Sequence, residues 1–173
     1  MMIYPFPHCP NKYFIETGTY YGNGIRRALY AGHFEKIYSI DLSEYFCEYC
    51  RQVFANEPNV QILCGDSRTV LPQILSQVDA PATFWLDAHY SSENTAKGLT
   101  HNPILDELEI IKNHPIKNHT IMIDDAKLFG TASFDFIEIE ELEQKIWEIH
   151  PDYVIELYSR REPDDMLLAT RKV

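Results

Sequence analysis

The stretch "FIETGTYYGNGIRRAL", from Phe14 to Leu29, places three glycines within seven residues, between an apolar run and a helical pattern. Glycine is favoured where the backbone needs a positive φ or where another group approaches it closely. This arrangement predicts a buried strand, a tight turn and the start of a helix. It also raises the question of what lies against Gly18, Gly22 and Gly24.

Outward from this stretch, strand-like and helix-like patterns alternate along the whole chain. Short apolar runs predict strands over residues 13–17, 36–42, 60–64, 82–88, 119–124, 152–159 and 165–173. Helical periodicity lies between them, over residues 24–33, 43–55, 66–78, 103–114 and 135–150. We therefore predict a doubly wound α/β fold with a seven-stranded sheet, mostly parallel and ending in an antiparallel hairpin, in one domain over residues 1–173.

The composition restricts the class of protein. The chain of 173 residues has a net charge of −11, which argues against a nucleic acid or an anionic membrane as its partner. No apolar stretch approaches the ~20 residues that span a bilayer, and the first residues lack signal-peptide character. Cys47 and Cys50 lie in a helical pattern and are interpreted as reduced thiols. We expect a cytoplasmic protein that acts on a small molecule, and the sequence leaves open a homo-oligomer.

Polar residues follow each strand of the predicted parallel run. They are, in chain order, Glu16 with Gly18, Gly22 and Gly24, then Asp41, Asp66 with Ser67, Asp87 with His89, and Asp124 with Asp125. Ligands of open α/β sheets bind beyond the carboxyl ends of the strands, so we expect these residues around one crevice. The alternative interpretation is that the glycines are plain turn residues and that Asp41 and Asp66 only cap helices.

The order of these residues predicts a nucleoside ligand. Asp41 stands about 20 residues after the first glycine, where an acid can accept both ribose hydroxyls. The glycine spacing differs from the dinucleotide pattern G-x-G-x-x-G, and the carboxylate of Glu16 would repel phosphates and attract an ammonium group. A ligand with a ribose, an adenine and an amino-acid end is S-adenosylmethionine, which predicts a methyltransferase.

The chain resembles the class I S-adenosylmethionine-dependent methyltransferases over nearly its whole length. "ETGTYYGNG" is similar to their first motif, "SIDLS" to the second, "GDS" to the third and "FWLDAH" to the fourth. The resemblance implies that Glu16, Gly18 and Thr19 flank the methionine part, that Asp41 binds the ribose, and that Asp66 and Ser67 bind the adenine. Gly22 belongs to the same predicted cofactor-binding set.

A narrower resemblance is to the metal-dependent sugar O-methyltransferases of the macrocin type and the related cephalosporin hydroxylase group. It implies that Asp87, Asp124 and Asp125 hold Mg²⁺ and that methyl transfer is to a hydroxyl of a small acceptor, with a sugar as one candidate. His89 stands where this group often has a second acid that acts as the base, so His89 and Asp87 are the predicted catalytic residues. Residues 91–100, in the polar stretch that follows the predicted strand 82–88, are expected to form a lid.

Two other function classes stay open from the residues. A nicotinamide-dependent oxidoreductase would share the ribose-binding acid, although its glycines should be more closely spaced. A catalytically silent nucleoside-binding domain would act through a protein partner.

Overall fold

The computed structural model describes residues 9–88, 102–159 and 162–171. Within these ranges, seven strands form one sheet: β1 Tyr13–Thr17, β2 Lys36–Asp41, β3 Val60–Cys64, β4 Ala82–Leu86, β5 Thr120–Asp124, β6 Tyr153–Tyr158 and β7 Met166–Arg171. The helices in the same ranges are α1 Asn23–Ala31, α2 Glu44–Val53, α3 Ser67–Leu75, α4 Ile104–Asn113 and α5 Ile139–Ile149.

The sheet has the order β3-β2-β1-β4-β5-β7-β6. Strands β1 to β5 are parallel, and β7 pairs antiparallel with both β5 and β6. The predicted doubly wound architecture with its antiparallel carboxy-terminal hairpin is confirmed. The strand order reverses between β1 and β4, so the crevice at their carboxyl ends is the position where such sheets bind ligands.

Burial follows the apolar pattern of the strands. Strands β1, β4 and β5 are buried along their whole length, because helices cover both faces of the central sheet. The larger core packs α3, α4 and α5 against one face, and the smaller core packs α1 and α2 against the other. No helix in the described ranges is both long enough and apolar enough to cross a membrane.

The structure corrects the predicted start of the last helix, which begins at Ile139 and not at residue 135. Asp135 and Phe136 both have positive φ angles, 55° and 56°, so the backbone there cannot be α-helical. The helix starts after Glu138, whose backbone N–H donates to the Glu141 carboxylate at 3.0 Å. Helix α3 is shorter than the predicted range 66–78, since it begins at Ser67 and ends at Leu75, and it includes Pro72.

The cysteines match the prediction of reduced thiols. Cys47 and Cys50 form no disulfide bond, and both are buried in α2. Burial raises the pKa of the Cys50 thiol to about 11, which keeps it protonated and unreactive at neutral pH.

Candidate functional site

The turn between β1 and α1 lies at the centre of the candidate site. Its backbone N–H groups at Gly18 and Thr19 both donate to the Ile40 carbonyl, at 2.8 and 3.1 Å, which joins the turn to the end of β2. Gly18 and Gly22 have φ angles of 87° and 76°, a conformation that side chains other than glycine rarely adopt. The sequence pattern therefore encodes a left-handed turn that places the start of α1 beside β2.

The groups that lie against the three glycines are parts of the protein itself. A Cβ at Gly18 would overlap the backbone carbonyl of Asp87, at the exit of β4. A Cβ at Gly22 would lie 2.5 Å from the Phe54 ring, and one at Gly24 would overlap the Glu16 carboxyl. Internal packing is sufficient to explain these glycines, so the glycines alone are not evidence for a ligand.

Glu16 is packed beneath the glycine turn. Its side chain is 2% exposed, and its Oε2 accepts a hydrogen bond from the Ser39 hydroxyl at 2.5 Å. The buried Thr19 hydroxyl lies 2.6 Å from the Ser39 hydroxyl, and it donates to Ser39 when Ser39 donates its one proton to an ionised Glu16. Burial raises the pKa of the Glu16 carboxyl to about 8. The described contacts of Glu16 and Thr19 are internal, and their predicted contact with the methionine part of a cofactor stays a prediction.

Asp41 ends β2 beside the turn. Its Oδ2 accepts from the Tyr20 backbone N–H and its Oδ1 from the Ser43 backbone N–H, both at 2.8 Å. Burial raises the pKa of Asp41, and these backbone donors act in the opposite direction. Each carboxylate oxygen has a second lone pair, so the two bonds orient Asp41 and leave it capacity to accept two hydroxyl groups.

Asp66 serves as the cap of α3. Its Oδ1 accepts from the Arg68 backbone N–H at 3.0 Å, and the Arg68 side chain donates to both of its oxygens. These bonds lower the pKa of Asp66. The capping role that the sequence left as an alternative is therefore present, and the adenine contact of Asp66 and Ser67 stays a prediction.

A pocket opens beyond the carboxyl ends of β4 and β5, and we call it the acidic pocket. It is lined by Leu86, Asp87, Ala88, Asn102, Ile104, Glu107, Ile123, Asp124, Phe129 and Phe134. Two of the predicted metal ligands, Asp87 and Asp124, are thus brought to one pocket. Asp125 is not among the lining residues; its backbone N–H donates to Asp124 Oδ1 at 2.7 Å, and its φ of 54° starts a 3₁₀ turn.

The predicted metal site gains no support from this arrangement. Among residues 9–88, 102–159 and 162–171, no group of three or more histidine, cysteine, aspartate or glutamate side chains is placed to hold a metal ion. The predicted base His89 and the predicted lid, residues 91–100, lie outside the described residues.

Glu107 is the site residue that the sequence analysis missed. It lies on α4 and is 1% exposed, and burial raises its pKa to about 7 against the opposing effects of the Ser67 and Thr17 hydroxyls. A signal was present in the sequence, because Ile104, Glu107, Leu108 and Ile111 follow the i, i+3, i+4, i+7 spacing of a buried helix face. A glutamate on such a face is an exception to the apolar pattern.

Solved structures share this fold. A Streptococcus mutans protein in complex with S-adenosylhomocysteine has a TM-score of 0.66 at 16% identity, with 99% of this chain and 100% of that chain covered. A Thermotoga maritima spermidine synthase has a TM-score of 0.64 at 14% identity, with 95% of this chain and 54% of that chain covered. The S-adenosylhomocysteine-bound Podospora anserina methyltransferase PaMTH1 has a TM-score of 0.64 at 13% identity, with coverages of 94% and 73%.

No family model matches the chain, and no curated protein matches its sequence. At identities of 13–16%, the likeness to these solved structures establishes the fold.

Proposed function

We propose that this protein is an S-adenosylmethionine-dependent methyltransferase of class I. The cofactor lies in the crevice at the switch between β1 and β4, with its ribose on Asp41. Two similar structures contain S-adenosylhomocysteine, the product that remains after methyl transfer, which supports this choice of ligand for the shared fold.

The observation that carries the proposal is the position of Glu16. Its carboxyl group fills the space beside Gly24, in the first turn of α1. Dinucleotide-binding folds place a pyrophosphate at this helix N-terminus, because the backbone N–H groups and the helix dipole favour an anion there. The Glu16 carboxyl lies directly beside Gly24 in this first turn, so a pyrophosphate bound there would have an acid next to it, which favours a cofactor without phosphates over a nicotinamide dinucleotide.

Isothermal titration calorimetry tests the cofactor assignment. S-adenosylhomocysteine should bind with an affinity of micromolar order, about −8 kcal/mol, and NAD should give no saturable heat. Asp41→Asn should weaken binding of S-adenosylhomocysteine by at least about tenfold, because it removes charge-assisted hydrogen bonds to the ribose. Asp152→Asn, a matched change at an exposed residue beside β6, should leave the affinity unchanged. A wild type that binds NAD, or that does not bind S-adenosylhomocysteine, would refute the proposal.

The finer part of the proposal concerns the chemistry. Methyl transfer is to a hydroxyl of a small acceptor, with His89 as the base. Asp87, Asp124 and Asp125 are the residues that would hold a divalent cation, and such a cation would lower the pKa of the reacting oxygen. Turnover that is abolished by a chelator and restored by Mg²⁺ would support the cation. A catalytically silent domain would bind S-adenosylhomocysteine and show no turnover with any hydroxylated acceptor.

A further inference from the structure

Strand β6 forms one edge of the sheet. It pairs with β7 on one side, and no other strand of the described ranges pairs with it. Such an edge presents a row of backbone N–H and C=O groups that can bind a further strand. Proteins usually protect their edges with lysine, proline or a bulge, and "YVIELY" contains neither lysine nor proline. Its register with β7 runs without interruption from Tyr153 opposite Arg171 to Tyr158 opposite Met166, so the strand is regular and open to pairing.

Exposed apolar side chains surround this edge. Leu157 is 46% exposed and Val154 is 45% exposed, on opposite faces of β6. Trp147, on α5, is 44% exposed, and its Nε1 donates to the Tyr153 carbonyl at 3.1 Å, so the indole lies beside the first residue of β6. We call β6 together with Trp147 the β6 edge. Strand β3, at the other side of the sheet, has no exposed large apolar side chain, so this apolar surface marks one edge and not both.

We propose that the β6 edge binds the same edge of a second copy of this chain, with the two β6 strands antiparallel. A two-fold axis perpendicular to the sheet makes the two strands antiparallel and uses the same surface twice, which closes the assembly at two copies. The sheet of the dimer then continues through both copies. The inference does not depend on the proposed function, because no residue of the predicted cofactor site lies in β6 or α5.

Charge favours one register for this pairing. The two-fold axis keeps the faces of the two strands aligned, so one residue of β6 lies opposite itself. With Glu156 at the axis, two carboxylates lie opposite each other, and with Val154 at the axis, Asp152 lies opposite Glu156. Both registers bring like charges together, which destabilises a pair of strands. With Ile155 at the axis neither contact forms, and five of the six residues of β6 are paired, more than in a register centred nearer an end.

This register covers exposed apolar side chains. Leu157 of one copy lies opposite Tyr153 of the second copy, and therefore close to the Trp147 that is bonded to that Tyr153. Ile155, which packs partly buried against the larger core, lies opposite Ile155 of the second copy. Because Tyr153, Ile155 and Leu157 share a face by the period of the strand, the two copies together form one continuous apolar ladder.

The size of this surface predicts a weak dimer. A strand of six residues is about 20 Å long, and the sheet with the helix layer on one face is about 25 Å thick. Each copy therefore offers about 500 Å², and the pair buries about 1,000 Å². Interfaces of this size are at the lower limit for a specific complex, so we expect a dissociation constant on the order of 10 µM.

Sedimentation velocity of the full chain tests the proposal, over concentrations from about tenfold below to about tenfold above this dissociation constant. The chain should change from monomer to dimer across this range. Hydrogen exchange at the two ends of the range identifies the surface, because amides that enter a new strand pairing exchange more slowly. The amides of β6 should become slower at the high concentration, and those of the other edge strand, β3, should not.

Tryptophan emission gives an independent measurement. The chain has two tryptophans, and Trp85 is only 2% exposed, so dissociation changes the environment of Trp147 alone. Dilution of the wild type should shift the emission to longer wavelength, with the same midpoint as in sedimentation. Trp147→Phe should remove this shift.

Matched variants separate the β6 edge from a general effect of charge. Leu157→Lys places a charge in the apolar ladder and should weaken dimerisation at least about tenfold. Val53→Lys makes the same change of charge on α2, at a residue that is 43% exposed, and should leave the dissociation constant unchanged. Val154→Lys, on the other face of β6, is the second test in case Leu157→Lys lowers Tm.

Four results would overturn the inference. They are a chain that stays monomeric over the whole range, a dissociation constant that is unchanged in both Leu157→Lys and Val154→Lys, slowed exchange at β3 in place of β6, and slow exchange of β6 that does not depend on concentration. The third result would assign the interface to the other edge of the sheet. The last result would mean that residues of the same chain cover β6.

Discussion

Gly24→Ala is the sharpest test of how the glycine turn is packed. The new methyl group would overlap the Glu16 carboxyl, which is buried and bonded to Ser39, so Glu16 must move. Overpacking of this kind destabilises a protein by about 1–3 kcal/mol, and a disturbed hydrogen bond adds about 1 kcal/mol. Alanine in place of glycine in a helix offsets up to about 1 kcal/mol of this. We expect a net loss of about 2 kcal/mol, which lowers Tm by about 4–8 °C for a chain of this size.

Urea unfolding of Gly24→Ala, Glu16→Ala and the double variant measures the effect. If the overlap is the cause, removing the Glu16 side chain should relieve it. The double-mutant cycle of Gly24→Ala and Glu16→Ala should then show a coupling free energy of at least about 1 kcal/mol. Gly32→Ala is the control: its added Cβ would lie 3.9 Å from the nearest atom and its positive φ strains the backbone instead, so its effect should simply add to that of Glu16→Ala. An additive cycle would refute the reasoning, as would a Gly24→Ala variant as stable as the wild type.

Two further predictions follow from buried ionisable groups. Burial raises the folded-state pKa of Glu107 to about 7, so its contribution to stability is present below its unfolded value of 4.5 and is lost as pH rises through 7. In urea unfolding, the free energy of unfolding of Glu107→Gln relative to that of the wild type should rise by up to about 3 kcal/mol between pH 4.5 and about pH 8. A difference between the two proteins that does not change with pH would contradict this. His119 accepts from the Ala82 backbone N–H at 3.0 Å, and burial lowers its pKa to about 3, so stability present above pH 6.5 is lost as pH falls toward 3. Between pH 6.5 and about pH 5, the free energy of unfolding of the wild type should fall by about 2 kcal/mol because of His119, and His119→Gln should not show this fall. The prediction is wrong if the free energies of unfolding of the two proteins fall in parallel below pH 6.5.

The order of the elements could be read from the sequence because it depends on local patterns. The runs "YFIET" and "VQILC" coincide with β1 and β3 at both ends. The amphipathic period of residues 103–114 located α4 to within a residue at each end. The start of α5 was wrong, because the apolar period continued into residues whose backbone is held in left-handed turns.

The sequence also placed acidic residues at the strand ends, since the position of a residue after a strand is a property of the chain alone. It did not establish how their side chains are used. The Asp66 carboxylate accepts hydrogen bonds from the Arg68 side chain. Asp87 and Asp124 line the same pocket, and Asp125 is not among its lining residues. Such pairings depend on the directions of side chains at the ends of elements, which periodicity does not specify.

The sequence by itself determined the alternation of strands and helices, the glycine turn after β1 and the acid at the end of β2. Only the tertiary structure decided that Gly18 faces the Asp87 carbonyl, that Gly24 faces Glu16, and that Glu107 points into a pocket at the end of β4. The physical reason is that hydrophobic periodicity and turn preferences act over a few neighbouring residues. Contacts at the site join residues from different elements, so they exist only once the sheet and its helices have packed.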